Sequence, residues 1–360
     1  MLGCHSHREK RLCVRQRLYS HMTEENDLRE KAKELGIHLI GFSAIEKTSY
    51  AETVRSRIAT GLIPQEIVEL TECFQVPEVF ADPAQSLAGA KTLICVGQSY
   101  LERKSIPKDI SMRGVIGRHY WRDSYTDLVK KRDEMVKHLR SAGFKAEKAK
   151  VHPREAAKLT GLAWIGRNAL AINPTYGSWA LYYSIVTDAV IEPSQRIIKS
   201  CPEKCRKCIE ACPTRALVEP YVLDVNRCLN YILERKEPYP DFARIPAGNR
   251  LNGCDKCQEV CPMNSVAKPA PKQLTARKLD PELVPYPKLD RCLEVTDREM
   301  ADNYAHMDWF EPSTRFLKRN ALIAVGNSGE KELLRIAKKF EHSEDDVLKN
   351  HAKWARERLS

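Results

Sequence analysis

Residues 201–213 read CPEKCRKCIEACP and residues 254–262 read CDKCQEVCP. The first run spaces its thiols Cys201-x3-Cys205-x2-Cys208-x3-Cys212 and ends on Pro213. The second spaces them Cys254-x2-Cys257-x3-Cys261 and ends on Pro262, with Cys228 alone between the two. Most of the chain's 13 cysteines therefore fall between Cys201 and Cys261; the others (Cys4, Cys13, Cys73, Cys95 and Cys292) are scattered. A disulfide scaffold is short, secreted and evenly stapled. A 360-residue chain with its cysteines crowded into one stretch and no secretion signal is none of these. The crowding points to a reduced cytoplasm and a metal site.

Two Cys-x2-Cys-x3-Cys-Pro segments are the pattern of a two-cluster ferredoxin fold, in which the last cysteine before proline serves the other 4Fe–4S cube. That crossover assigns Cys201, Cys205, Cys208 and Cys261 to one cluster. Cys212, Cys228, Cys254 and Cys257 then serve the second, and no cysteine of the set is left over. Structural zinc sites also use Cys-x2-Cys, but they explain neither the third cysteine of each run nor the proline. The opening spacing of three, Cys201 to Cys205, departs from the usual two. Adjacent cubes pass single electrons, so the rest of the chain should house whatever the electrons are for.

Around this centre the chain divides. Residues 1–21 carry five Lys/Arg against one acid; they read either as a basic arm or as sequence ahead of a true start at Met22. Residues 22–200 alternate helices and strands: Ile37–Phe42, Thr92–Gln98 and Ala180–Thr187 read as strands, and Tyr125–Ala142 as a helix. Residues 201–265 are the cysteine-rich insert. Residues 266–312 are a connector, proline-rich over Pro269–Pro287. Residues 313–360 read as helices, Ser313–Val325, Glu330–Phe340 and Asp345–Leu359, paired as in one HEAT-type repeat. The expected class is α+β. No run of about 18 apolar residues predicts a membrane span. The net charge of +11 suits a polyanionic partner.

The segments ACPTRALVEPYVLDVNRCLNYILE (211–234), GNRLNGCDKCQEVCPMNS (248–265), GLAWIGRNALAINPTYGSW (161–179), Thr187-Asp188, FLKRNALIAVGNSG (316–329) and HAKWARERL (351–359) resemble those of the epoxyqueuosine reductase family. The resemblance covers nearly everything after Met22. It implies a nitroreductase-like α/β domain that binds cobalamin in its base-off form, a ferredoxin-like domain with two 4Fe–4S clusters, and a short HEAT-like cap that helps to hold tRNA. It implies an oxidoreductase of queuosine biosynthesis and tRNA processing. Electrons pass from a donor such as flavodoxin or ferredoxin through the cubes to cobalt, which attacks the epoxide. A cytoplasmic monomer is expected.

Within that resemblance, Gly161, Trp164, Gly166, Asn168, Tyr176 and Gly177 are the candidate corrinoid contacts, since small residues let backbone approach a flat macrocycle; turn glycines are the plainer reading. Lys349, Lys353 and Arg356 share one face of the last helix, with Arg358 near its end, as phosphate contacts or as a solvated face. The catalytic segment departs from the family pattern. Where the family has Arg-Asp-Tyr-His, with Asp as general acid, this chain has Trp121-Arg122-Asp123-Ser124-Tyr125-Thr126. Ungapped alignment puts Ser124 at the acid position, a one-residue shift restores Asp123, and Tyr125 is a reserve donor. Asp123 could equally cap the following helix. The family's Asp-Ser-x-Pro-Val-Leu-Glu-Arg is replaced by KVHPREAA (150–157), which resembles the broader group of cobalamin-reductase-like iron–sulfur proteins; His152 there is a further proton-donor candidate.

The leading expectation is thus reduction of epoxyqueuosine in tRNA. A paralogue using the same machinery on another substrate is the alternative. A non-catalytic electron carrier is the third reading, although a carrier needs no α/β domain ahead of its clusters.

Overall fold

The computed structural model describes residues 25–234, 239–271, 279–280, 282–304 and 314–360. The basic stretch 1–21 and the start at Met22 lie outside the described residues. The chain is α+β. A four-stranded antiparallel sheet holds β1 (Leu39–Ala44), β2 (Thr92–Ser99), β3 (Ala146–Lys148) and β4 (Ala180–Thr187) in the order β1-β2-β4-β3. β2 is buried along its whole length, which explains why TLICVGQ reads as a continuous apolar run instead of an alternating one. Side chains of opposite faces enter different cores. Ile94 and Val96 pack with Leu128, Met135 and Leu139 of α1 (Ser124–Ser141). Leu93 and Cys95 pack with Ala156, Ala157 and Leu159 of α2 (Pro153–Leu159). Strand pairing in register from Thr92↔Thr187 to Ser99↔Ala180 brings Tyr100 and Ala180 to the same end of the sheet.

The cysteine-rich region is built from short helices and one small hairpin, Leu217–Glu219 with Val222–Leu223. It is tied to the α/β region by a parallel bridge between Val115–Ile116 and Arg250–Asn252. In the tail α3 (Thr314–Ser328) packs against α4 (Asp346–Leu359), and the helix expected over Glu330–Phe340 is a shorter one, Leu334–Lys339, between two 3-10 turns. α3 runs past the expected end at Val325, and Gly326 lies inside it against Trp354: a Cβ there would stand 2.4 Å from the indole. Asn320 of α3 donates to Leu233 O (2.9 Å) and Leu251 O (2.6 Å), anchoring the cap on the cysteine-rich region.

The connector is the main difference from the sequence reading. Its described part contains helices Leu289–Glu294 and Asp297–Tyr304. Leu283, Val284, Leu289, Cys292, Leu293 and Tyr304 share one core with Leu317 and Leu322 of the cap. The prolines masked these short helices, whose stability comes from packing rather than length.

Candidate metal centres and the adjoining cavity

The fold sorts the eight thiols into two groups. Cys201, Cys205, Cys208 and Cys261 line one small cavity with Pro202, Pro262 and Met263. Cys212, Cys228, Cys254 and Cys257 line a second. Each quartet therefore takes its fourth member from the other run. Short helices Lys207–Glu210 and Lys256–Glu259 turn the chain between successive cysteines, and each Cys-Pro step ends a run. Backbone N–H groups point at the sulfurs: Ala216 N donates to Cys212 Sγ (3.2 Å) and Arg167 N to Cys201 Sγ (3.4 Å). Such bonds favour a negatively charged thiolate cluster.

Burial, then the neighbouring thiols, push Cys228 up to about 12 and Cys257 well above the ordinary thiol range. Thiols this reluctant to ionise need a cation to do so, and metal binding releases their protons. Among the described residues no three His, Cys, Asp or Glu groups are placed to hold a single ion. Four thiols set around a cavity, each meeting a different iron, are what a cube requires, whereas one zinc ion draws all four to about 2.3 Å.

The second quartet forms part of the wall of a much larger cavity, about 420 Å3 and mainly apolar. Tyr100, Tyr125 and Ala180–Tyr183 line its α/β side, and Thr214, Asn230 and Asp255–Gln258 its cysteine-rich side. A buried network fixes the two sides together. Gln258 Oε1 accepts from Ser178 Oγ (2.9 Å) and from the Tyr100 hydroxyl (3.3 Å). Asn264 Nδ2 donates to Ser178 Oγ (2.8 Å), while Asn264 Oδ1 accepts from Ser178 N (2.8 Å). Burial raises the Asp255 carboxyl above its usual range, opposed by the Arg118 backbone N–H at 2.8 Å and by the Arg118 charge.

Of the proton-donor candidates, one reaches this cavity. Tyr125 lines it, 49% exposed, its ring edge-on to Tyr183 at 5.4 Å. Asp123 is the N-cap of α1 and accepts from Thr126 N (3.1 Å). Ser124 is buried, and its carbonyl accepts from Gln98 Nε2 (2.7 Å). His152 lines a different chamber, stacked on Tyr50 at 4.6 Å, and burial holds it well below the ordinary imidazole range.

Of the six candidate corrinoid contacts only Asn168 lines the large cavity. Its Nδ2 is buried with no hydrogen-bond partner among the described residues. The glycines approach protein instead. A Cβ at Gly161 would meet Gln195 O at 2.3 Å, one at Gly166 would meet Ile172 Cδ1 at 2.4 Å, and one at Gly177 would meet Asn264 Oδ1 at 2.1 Å. Trp164 packs with Ile172 and Cys261, and Tyr176 faces His38 at 6.1 Å. The sequence reading missed Tyr100, His119, Arg154, Tyr183 and Gln258, all on the cavity wall. Tyr100 was within reach, since it follows a buried strand whose end opens into the cavity. On α4, Arg356 pairs with Glu341 (3.0 Å) and Lys349 with Asp346 (3.1 Å), while Lys353 is exposed.

Asn168 also lines the first quartet's cavity, and its Oδ1 accepts from Leu170 N (3.3 Å), so only its Nδ2 lacks a partner among the described residues. A wide, mainly apolar cavity with such a donor at its edge and four thiols in its wall fits a flat redox cofactor whose rim carries hydrogen-bonding groups.

Residues 200–264 match the family described as a 4Fe-4S double cluster binding domain. The chain is similar over most of its length to epoxyqueuosine reductases. It is 28% identical to that of Bacillus subtilis (strain 168), covering 92% of this chain and 86% of the relative. It is 29% identical to that of Escherichia coli (strain K12), covering 92% and 89%. Two solved structures are similar in fold. One is an epoxyqueuosine reductase with an epoxyqueuosine-modified tRNA-Tyr stem loop (TM-score 0.84, 26% identity, 94% of this chain and 90% of that one). The other is the Bacillus subtilis enzyme with its catalytic loop swung out of the active site (TM-score 0.85, 27% identity, 94% and 91%).

Proposed function

We propose that this chain is an oxidoreductase of the epoxyqueuosine reductase kind, converting epoxyqueuosine in tRNA to queuosine. The reaction takes two electrons and two protons, breaks both C–O bonds of the epoxide and releases the oxygen as water. The observation that carries this reading is the shared wall. A cysteine quartet suited to a 4Fe–4S cube lines the same cavity that has room for a cofactor.

The two quartets are the cluster ligands, Cys201, Cys205, Cys208 and Cys261 holding one cube and Cys212, Cys228, Cys254 and Cys257 the other. Cobalamin is the cofactor of the large cavity, where it supplies a reducing, nucleophilic metal. Asn168 Nδ2 offers its unsatisfied N–H to an amide on the rim. The apolar wall excludes water from the reacting bond, and the Gln258–Ser178–Asn264 network keeps cluster and cavity in fixed relation. Tyr125 brings a phenolic O–H to the cavity wall and is the proton donor to the leaving oxygen; Asp123 holds the helix start that aims it. Electrons enter from a flavodoxin or ferredoxin. Exposed Lys353 and the net charge of +11 support tRNA binding through phosphate contacts.

A strain lacking this gene tests the reading by mass spectrometry of its tRNA nucleosides. Epoxyqueuosine accumulates if the reading is right; unchanged queuosine with no second reductase present counts against it. One observation favours a paralogue instead: the KVHPREAA departure places a new arginine, Arg154, on the cavity wall.

A further inference from the structure

The large cavity adjoins a smaller chamber of about 160 Å3, and Arg154 and Leu223 line both. Tyr50, Thr53, Arg57, His152, Glu155 and Tyr221 supply the rest of the chamber's polar wall. The Arg154 guanidinium donates to Ala169 O, and its other terminal nitrogen lies 3.5 Å from His152 Nε2. Among the described residues it makes no ion pair; Glu155, next to it in sequence, lines the chamber without pairing to it. Arg57 donates to Tyr221 O (2.8 Å) and also makes no ion pair among them. Burial, then the Arg57 charge, work against the Arg154 cation, and His152 is held neutral, so it repays nothing. Glu155 favours the Arg154 cation electrostatically without bonding to it, and a largely buried cation with no directly bonded counter-charge is costly. Two guanidiniums at one chamber, one of them in the wall of the main cavity, describe a place for an anion brought by the main cavity's ligand.

We propose that this chamber is a phosphate site for the cofactor of the large cavity, with Arg154 as its anchoring donor and Arg57 as the supporting cation. The proposal rests on the corrinoid reading above and names the group recognised. Cobalamin's peripheral side chains are amides, and its one anionic group is the phosphodiester of the nucleotide loop. Arg154 stands where the resembled pattern Asp-Ser-x-Pro-Val-Leu-Glu-Arg has Val, so the anchor is a feature of this chain's own sequence. A guanidinium forms paired, charge-assisted hydrogen bonds to phosphate.

The test is a binding titration, read by corrinoid absorbance, on the full chain with its clusters reconstituted. The probes are cobalamin and cobinamide, which lacks the phosphodiester. Wild type should hold cobalamin about 10- to 100-fold more tightly than cobinamide. Arg154→Met should abolish that preference while leaving cobinamide affinity unchanged, and Arg154→Lys should keep part of it. Iron content equal to wild type shows that the variants fold. Inorganic phosphate should compete with cobalamin and not with cobinamide. Equal weakening of both corrinoids by Arg154→Met, or no preference in wild type, overturns the phosphate site and leaves the corrinoid reading standing. Unchanged cobalamin affinity with loss of affinity for the tRNA stem loop gives the phosphate to the RNA and overturns the assignment. A wild type that binds neither corrinoid removes the corrinoid reading and this proposal together.

Discussion

Cys261 shares its cavity with Cys208 of the other run and not with Cys257, its neighbour in sequence. The charge of Cys261 is felt at the Cys208 thiol, and Cys257 instead feels Cys254 and Cys228. This exchange binds the two halves of the cysteine-rich region into one unit and sets one quartet in the cavity wall.

Selective loss of clusters follows from the exchange. The anaerobically reconstituted chain should hold about eight iron, from two four-iron cubes. Cys261→Ala and Cys208→Ala should lose the same cube, and Cys212→Ala and Cys257→Ala the other, as read by iron content and low-temperature EPR. Cys261→Ala grouping with Cys257→Ala would contradict the exchange.

The proton donor separates by position. Tyr125→Phe should lower turnover by about 10²- to 10⁴-fold with cluster and corrinoid content unchanged, the range expected on removing a positioned acid. Asp123→Ala should instead cost about 1 kcal/mol of stability through the lost cap, and Asp123→Asn, which can still cap, should change little. Ser124→Ala should leave the chemistry alone, because its hydroxyl-bearing residue is buried away from the cavity. A large loss of turnover in Asp123→Asn would return the role to the aspartate.

A pH effect is built into the cap. His351 is fully buried, with its Nδ1 2.6 Å from Val347 O and Tyr239 N donating to its Nε2 (3.3 Å). Burial lowers it to about 4. A depressed histidine stabilises the fold fully above its unfolded value near 6.5 and loses that contribution as pH falls towards 4. At pH 5.5 the loss amounts to about 1 kcal/mol. His351→Gln should therefore flatten the stability difference between pH 7.5 and 5.5, measured by denaturant midpoint. A slope equal to wild type would show that His351 does not carry it.

Gly326 offers a test of packing against propensity. Glycine to alanine in a helix usually gains about 1 kcal/mol. At Gly326 the added carbon meets the Trp354 ring, so Gly326→Ala should destabilise by about 1–3 kcal/mol and lower the melting temperature. A rise would mean that the α3–α4 contact is looser than described.

Sequence alone carried the cysteine groups, since thiol spacing is local and the proline steps are unambiguous. It also carried β2, β4, α1 and the cap helices, whose apolar patterns match their burial. It failed where long-range packing decides the outcome. Gly161, Gly166 and Gly177 looked like room for a macrocycle, but each is small because another part of the protein approaches it. Asp123 could be either acid or cap in the sequence, and the bond from Thr126 N that makes it the cap of α1 is not visible there. Arg154 was visible as a departure from pattern, yet its place between two cavities depends on how α2 packs against β4 and on where the fold brings Leu223. The helices at Leu289–Glu294 and Asp297–Tyr304 were lost behind prolines because their stability comes from the cap core.

The central claim is best tested with the cluster- and cobalamin-loaded protein, a low-potential reductant and an epoxyqueuosine-modified tRNA stem loop, all kept anaerobic. Mass spectrometry should show the modified nucleoside losing the mass of one oxygen atom, in a reaction that stops when either cofactor is omitted. A loaded protein whose clusters reduce normally but which leaves epoxyqueuosine unchanged would contradict the account.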